Sequence, residues 1–290
     1  MYSATASRVV NIETGPSDSW EPLVRPNRLR QLLEAGRPTI TGWMSIDSAY
    51  LAEVLSYAGY DAVTVDLQHG MFSLDKAVSL LQAVSAGPAT PMARCPSHDP
   101  AIIGKLLDAG AYGIVCPAVD SAEQAARFVA ACRYPPTGVR SYGPSRGLLY
   151  GGPDYLDHAD DTVLTWAMIE SKAALADLDN ILATDGLDGV YVGPNDLALS
   201  LGEAPGQSPY SAQVLDALGH IAQAARDAGR WAGIFCPDGD VARELVELGY
   251  HLVTPGNDVG IMRAAVADRI AAIRGASESN SQSGGPSGGY

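Results

Sequence analysis

Between Thr64 and Gly70 the chain passes from apolar residues to an acid, Asp66, an amide, Gln68, and an imidazole, His69. A carboxylate and an imidazole at the end of a buried run are groups that orient a substrate and move a proton. The same kind of ending recurs. Arg94 lies near the end of "TPMARC" (90–95), Glu170 closes "TVLTWAMIE" (162–170), and Asp196 closes "GVYVGPND" (189–196). Asn257 and Asp258 follow "HLVTPG" (251–256). Glu170 and Asp196 offer hard oxygen ligands suited to Mg²⁺, Mn²⁺ or Co²⁺. Arg94 can stabilise negative charge on a substrate oxygen, and an arginine at a buried strand end needs an anionic partner. Backbone N–H groups of "GPND" can hold a carboxylate.

Each residue alone has a simpler reading. An acid after a strand commonly caps a helix, and Asn257 and Asp258 look like such caps. A single histidine near a core is usually structural. We read His98, His158 and His220 as structural or surface residues, the last two in a loop and a helix; His251 opens the last run, at the wrong face of a barrel. The joint arrangement of five run ends is what favours a site. Only Lys76, Lys105 and Lys172 are present, and Lys172 alone follows a strand. It reads better as an early helix residue, which disfavours Schiff-base chemistry.

These endings belong to an alternation of β-rich and helical stretches. Eight β runs are expected at 39–46, 61–67, 90–95, 112–119, 162–170, 189–196, 231–236 and 251–256. Helical stretches at 48–59, 99–110, 121–132 and 241–249 separate some of them, several ending in glycine. A helix over 26–36 precedes the first strand and is placed to plug the base. Eight β/α units over roughly 250 residues specify an α/β fold of the (β/α)8 TIM-barrel type. No glycine-rich turn follows the first strand, as a doubly wound sheet would require. The Gly/Pro-rich segment 134–155 reads as a long loop. Residues 1–25 form an arm, 26–275 the barrel, and 276–290 a Ser/Gly-rich tail expected to be disordered.

A net charge of −14 argues against nucleic acid or an anionic membrane as partner. No apolar run reaches the length of a transmembrane span. Cys95, Cys116, Cys132 and Cys236 show neither CxxC nor disulfide-framework spacing, and no Cys/His pair has zinc-ligand spacing. A reducing, cytoplasmic setting is the expectation.

The motifs "GYDAVTVDLQHG", "RCPSHDPAIIGKLLDAGAYGIVCPAV", "ARFVAACRYPPTGVRSYG", "MIES" and "DGVYVGPNDLALSLG" resemble the HpcH/HpaI aldolase family over residues 26–273. The family comprises metal-dependent pyruvate aldolases on a TIM barrel, such as 4-hydroxy-2-oxoheptanedioate and 2-dehydro-3-deoxyglucarate aldolases. The resemblance implies His69 as general base and Arg94 as the group stabilising the enolate. It implies Asp108 as the hydrogen-bond partner of His69, where the sequence alone prefers a surface acid at a helix end. It implies Glu170 and Asp196 as ligands of the divalent metal, and backbone groups of Gly193, Asn195 and Asp196 as holding the carboxylate of a 2-oxo acid. Asp66 and Gln68 support the site.

The resemblance further implies a homo-oligomer, trimer or hexamer, with a final helix (258–273) swapped between subunits. Two positions depart from the family pattern: Gln68 replaces a usual Glu, and Met168 replaces a usual Gln. Alternation turns Trp166, Met168 and Glu170 into the barrel, so Met168 meets either packing or substrate. The reaction implied joins or splits a 2-oxo acid and an aldehyde. Oxaloacetate decarboxylation, or addition of the enolate to an unusual acceptor, is the alternative; a catalytically silent barrel is another class.

Overall fold

The computed structural model describes residues 24–274. The expected tail, and all but the last two residues of the expected arm, lie outside the described residues. The eight β runs pair in parallel, in chain order, and close into a barrel. They are β1 (Thr39–Met44), β2 (Ala62–Asp66), β3 (Thr90–Arg94), β4 (Gly113–Cys116), β5 (Leu164–Ile169), β6 (Gly189–Val192), β7 (Trp231–Cys236) and β8 (Leu252–Pro255). The helices are α1 (Arg28–Glu34), α2 (Ala49–Tyr57), α3 (Leu74–Ala86), α4 (Pro100–Asp108), α5 (Ala122–Cys132), α6 (Arg146–Gly151), α7 (Tyr155–Thr162), α8 (Lys172–Ala176), α9 (Leu178–Leu182), α10 (Pro194–Leu201), α11 (Ala212–Asp227), α12 (Gly239–Leu248) and α13 (Asp258–Arg274).

Local chemistry sets these boundaries. Side chains of Ser48, Asp99, Ser121, Ser171, Ser211 and Asp238 accept first-turn N–H groups of the helices they open. Gly202 and Gly249 end α10 and α12 in the left-handed conformation. The expected sixth strand is shorter than its run: β6 stops at Val192, and Pro194 at the first helical position starts α10. The segment read as a long loop contains α6 and leads into α7, so His158 is helical. Its glycines misled the reading. Gly151 is needed because a Cβ there would come 2.5 Å from the Tyr155 ring.

Two apolar layers result. Val63, Val65, Ala93, Ile114, Ala167, Ile169, Val190, Val192 and Ile234 face the surrounding helices. The alternate positions fill the barrel, where Trp43, Met92, Leu164, Trp166, Met168, Tyr191 and Leu252 form one cluster. Bulk is offset by glycine in the neighbouring strand: Met92, Trp166 and Tyr191 are in register with Gly113, Gly189 and Gly233. Leu29 and Leu33 of α1 join this inner cluster, so α1 plugs the barrel base as expected. Each buried leucine contributes about 2 kcal/mol. The four cysteines are buried free thiols. Among the described residues, no helix is long and apolar enough to cross a membrane.

Candidate active site

The C-terminal ends of the strands form one mouth of the barrel, where such folds place their chemistry. Asp66, the last residue of β2, is fully buried and organises this end. Its carboxylate accepts from Arg94 Nε at 2.8 Å and Nη2 at 2.5 Å, a bidentate pair between register partners on β2 and β3. Trp43 Nε1 donates to it at 3.1 Å. The backbone N–H groups of Gln68 and His69 donate at 3.0 and 3.3 Å. Burial pushes the Asp66 carboxyl upward, but Arg94, Trp43 and His69 together hold it below the usual range. The anionic partner that a buried arginine requires is thus Asp66, which also fixes the turn carrying His69. The Arg94 guanidinium lies 4.9 Å over the Trp43 ring.

A pocket opens beside this pair, lined by Arg94, Met168, Gly193, Asn195, Asp196 and aromatic residues. Those aromatics, Trp43, Tyr191 and Phe235, were not anticipated; all three sit with the inner cluster of the barrel. Trp43 stacks on Tyr191 at 5.5 Å and meets Phe235 edge-on at 6.0 Å. The polar ends of this wall are engaged elsewhere: Trp43 Nε1 with Asp66, and the Tyr191 hydroxyl with Thr254 at 2.5 Å. Together with Met168 it presents carbon and sulfur. Trp166 lies deeper, beside Trp231, as packing.

The opposite side is polar. Gly193 caps α10, so the first-turn amides of Asn195 and Asp196 stand at a helix N-terminus bordering the pocket. The Asn195 carboxamide accepts from Gly206 N–H at 2.9 Å and pins the following loop. Glu170 follows β5 and is only 8% exposed. Its Oε1 accepts from Ala118 N–H at 2.7 Å. A Cβ on Gly193 would come 2.5 Å from Oε2, so only glycine leaves this oxygen its space. Burial raises the Glu170 carboxyl to about 7, and the negative charge of Asp196 adds to the rise; Ala118 N–H and Arg94 act in the opposite sense.

Asp108 does not join this site within one chain. It ends α4, and Tyr112, four residues later, pairs with Pro91 near the start of β3, at the barrel's other end. Its carboxylate instead accepts from the buried Arg140 at 2.8 Å. Asn257 caps α13 through Gly260 N–H, as expected, but Asp258 does more. It accepts the N–H groups of Ser45 and Ile46 and so ties α13 to the end of β1. Lys172 begins α8 and is exposed, outside the pocket wall.

Known proteins agree with this architecture. Residues 40–265 match the family model described as HpcH/HpaI aldolase/citrate lyase. A hydroxypyruvate/pyruvate aldolase of Rhizorhabdus wittichii is 42% identical over 248 residues, covering 86% of this chain and 99% of that protein. A 4-hydroxy-2-oxo-heptane-1,7-dioate aldolase of Salmonella dublin is 35% identical over 262 residues, covering 89% and 98%. The crystal structure of a family protein from Burkholderia cenocepacia J2315 superposes with a TM-score of 0.80 at 33% identity, covering 86% of this chain and 99% of that one. The chain belongs to the HpcH/HpaI aldolase/citrate lyase family.

Proposed function

We propose that the chain is a carbon–carbon lyase, a class II pyruvate aldolase that cleaves or forms a 4-hydroxy-2-oxo acid through a pyruvate-type enolate. The observation that carries this reading is the gathering of the Arg94–Asp66 pair, Asp196 and the α10 N-terminus at one pocket in the barrel mouth, with the Glu170 carboxylate beside Gly193 of its wall. The aldolase names of the relatives support the reaction class.

Glu170 and Asp196 suit a divalent cation. Burial first, and then the negative charge of Asp196, hold the Glu170 carboxyl at about 7, and a bound cation favours its charged form. Among the described residues, no group of three His, Cys, Asp or Glu side chains could hold a metal. The rest of the shell is left to water and substrate oxygens, a common arrangement for Mg²⁺. When bound, the cation polarises the keto group and lowers the cost of enolate charge.

The chain's own groups divide the remaining work. The α10 amides at Asn195 and Asp196 take the substrate carboxylate. Arg94, held in plane by Asp66, stabilises the charge growing on the keto oxygen. His69 takes the proton of the C4 hydroxyl as the C3–C4 bond breaks, and its electron pair passes into the enolate. Proton return to C3 then gives the 2-oxo acid. The wall of Trp43, Met168, Tyr191 and Phe235 covers the carbon skeleton and excludes water. Asp108 reaches a His69 only across a subunit boundary, since the two stand at opposite ends of one barrel. Exchange of pyruvate methyl protons into D₂O, followed by proton NMR, tests enolisation without an acceptor. His69→Ala is expected to reduce exchange to background; exchange at the wild-type rate would remove His69 from the mechanism.

A homo-oligomer fits the final helix. Within α13 only Asp258 is buried, and Ile261, Met262, Val266, Ile270 and Ile273 are exposed. Tyr50, Val54 and Tyr57 form an exposed apolar stripe on α2. Packing of α13 on a neighbouring copy covers both kinds of surface. Val266→Asp with Ile270→Asp is expected to yield monomers in light scattering; an unchanged mass would place the interface elsewhere.

A further inference from the structure

We infer that His98 is a positioning residue for Glu170, acting through the single peptide group that joins Pro117 to Ala118. The inference rests on the reading of Glu170 as a metal-binding carboxylate. From the sequence, His98 reads as a structural or surface residue just before a helix start. The structure connects it to the site by two hydrogen bonds. His98 Nε2 lies 2.6 Å from the Pro117 carbonyl oxygen. A carbonyl only accepts, so Nε2 carries the hydrogen. The N–H of the same peptide, at Ala118, donates to Glu170 Oε1 at 2.7 Å.

This peptide is held against its own preference. Ala118 has φ +50°, in the left-handed region that a Cβ disfavours. A half-turn of the peptide would return Ala118 to negative φ. It would also remove the donor from Glu170 and turn the Pro117 carbonyl onto the carboxylate. The next residues are fixed to β5 and its end: Val119 N–H donates to Met168 O at 3.2 Å, and the Ser171 hydroxyl donates to Asp120. His98 is the restraint from the β3–α4 side, on the carbonyl that the flip would move. With Oε1 anchored, Oε2 stays over Gly193, where a Cβ would intrude to 2.5 Å. Groups that orient a metal ligand in this way commonly set metal affinity.

The test is Mn²⁺ binding to the full-length protein by electron paramagnetic resonance, with near-ultraviolet circular dichroism as the folding control. His98→Ala is expected to weaken Mn²⁺ binding about 10- to 100-fold while the metal-free spectrum is unchanged. His98→Gln, which keeps a donor at comparable reach, is expected to stay within about threefold of the wild type. Ala118→Gly removes the backbone penalty, so adding it to His98→Ala is expected to recover about tenfold. Wild-type affinity in His98→Ala overturns the inference, as does no recovery in the double variant or a loss in His98→Gln equal to that of alanine. Glu170→Gln separates the two readings. If it binds Mn²⁺ normally, the assignment of Glu170 fails and this inference with it; if it loses Mn²⁺ while His98→Ala does not, the inference alone fails.

Discussion

Arg94→Met is expected to lower pyruvate methyl-proton exchange by about 10²–10³-fold, the usual cost of deleting a donor to a developing oxyanion. It is also expected to destabilise the fold by about 3–5 kcal/mol, because it strands a buried carboxylate. Asp66 is wholly buried and takes two of its hydrogen bonds from Arg94. Trp43 and the turn amides remain as donors but bring no positive charge.

The pH dependence has a definite sign. In the wild type the folded pKa of Asp66 is lowered, so its stabilisation is present above the unfolded value of about 4 and is lost as pH falls through the folded value. Without Arg94 that pKa rises, and the variant should gain stability relative to wild type as pH falls from 8 to 5. Asp66→Asn added to Arg94→Met is expected to return about 2 kcal/mol in urea unfolding without restoring exchange. Normal exchange in Arg94→Met would remove it from the mechanism. Equal urea midpoints for Arg94→Met and wild type at pH 8 would remove the pair from the stability of the fold.

Glu170→Gln should have opposite effects on stability and metal binding. In the metal-free protein the Glu170 carboxyl is raised from 4.5 to about 7, first by burial. Below pH 4.5 the folded and unfolded chains both hold this proton, so it contributes nothing. As pH rises from 4.5 to 7 the unfolded chain releases it first, and the fold loses stability. Above 7 the cost is complete, on the order of 3 kcal/mol. The glutamine variant lacks this cost and is expected to be about 2–3 kcal/mol more stable than the EDTA-treated wild type at pH 8, converging with it near pH 4.5.

Added Mn²⁺ should reverse the order by stabilising the wild type alone. Below pH 7 Mn²⁺ must displace the Glu170 proton, so affinity should fall about tenfold per pH unit with release of one proton. Calorimetry in two buffers of different ionisation enthalpy measures that proton. Binding without proton release at pH 6 would contradict the raised carboxyl.

The site shows where sequence information stops. Strand alternation was sufficient to turn Trp166, Met168 and Glu170 inward, since the period of two is a property of the local backbone. Met168 lines the pocket and Trp166 lies deeper, a difference of one layer that alternation does not encode. The helices α6 and α7 were missed because glycine and proline usually mark loops. Here Gly151 is required by the approach of Tyr155, a tertiary demand.

By itself the sequence determined the eight strands, the plugging helix and the ends at which Asp66, Arg94, Glu170 and Asp196 emerge. All depend on local propensity, caps and periodicity. Only the tertiary structure decided how these groups are coupled. Barrel closure sets β8 beside β1 and so brings Asp258 to Ser45. Strand register sets Asp66 beside Arg94, while opposite ends of one barrel separate Asp108 from His69. The peptide between Pro117 and Ala118 links His98 to Glu170 across 72 positions of sequence. Such pairings depend on distances between elements, which close packing fixes and local sequence patterns leave open.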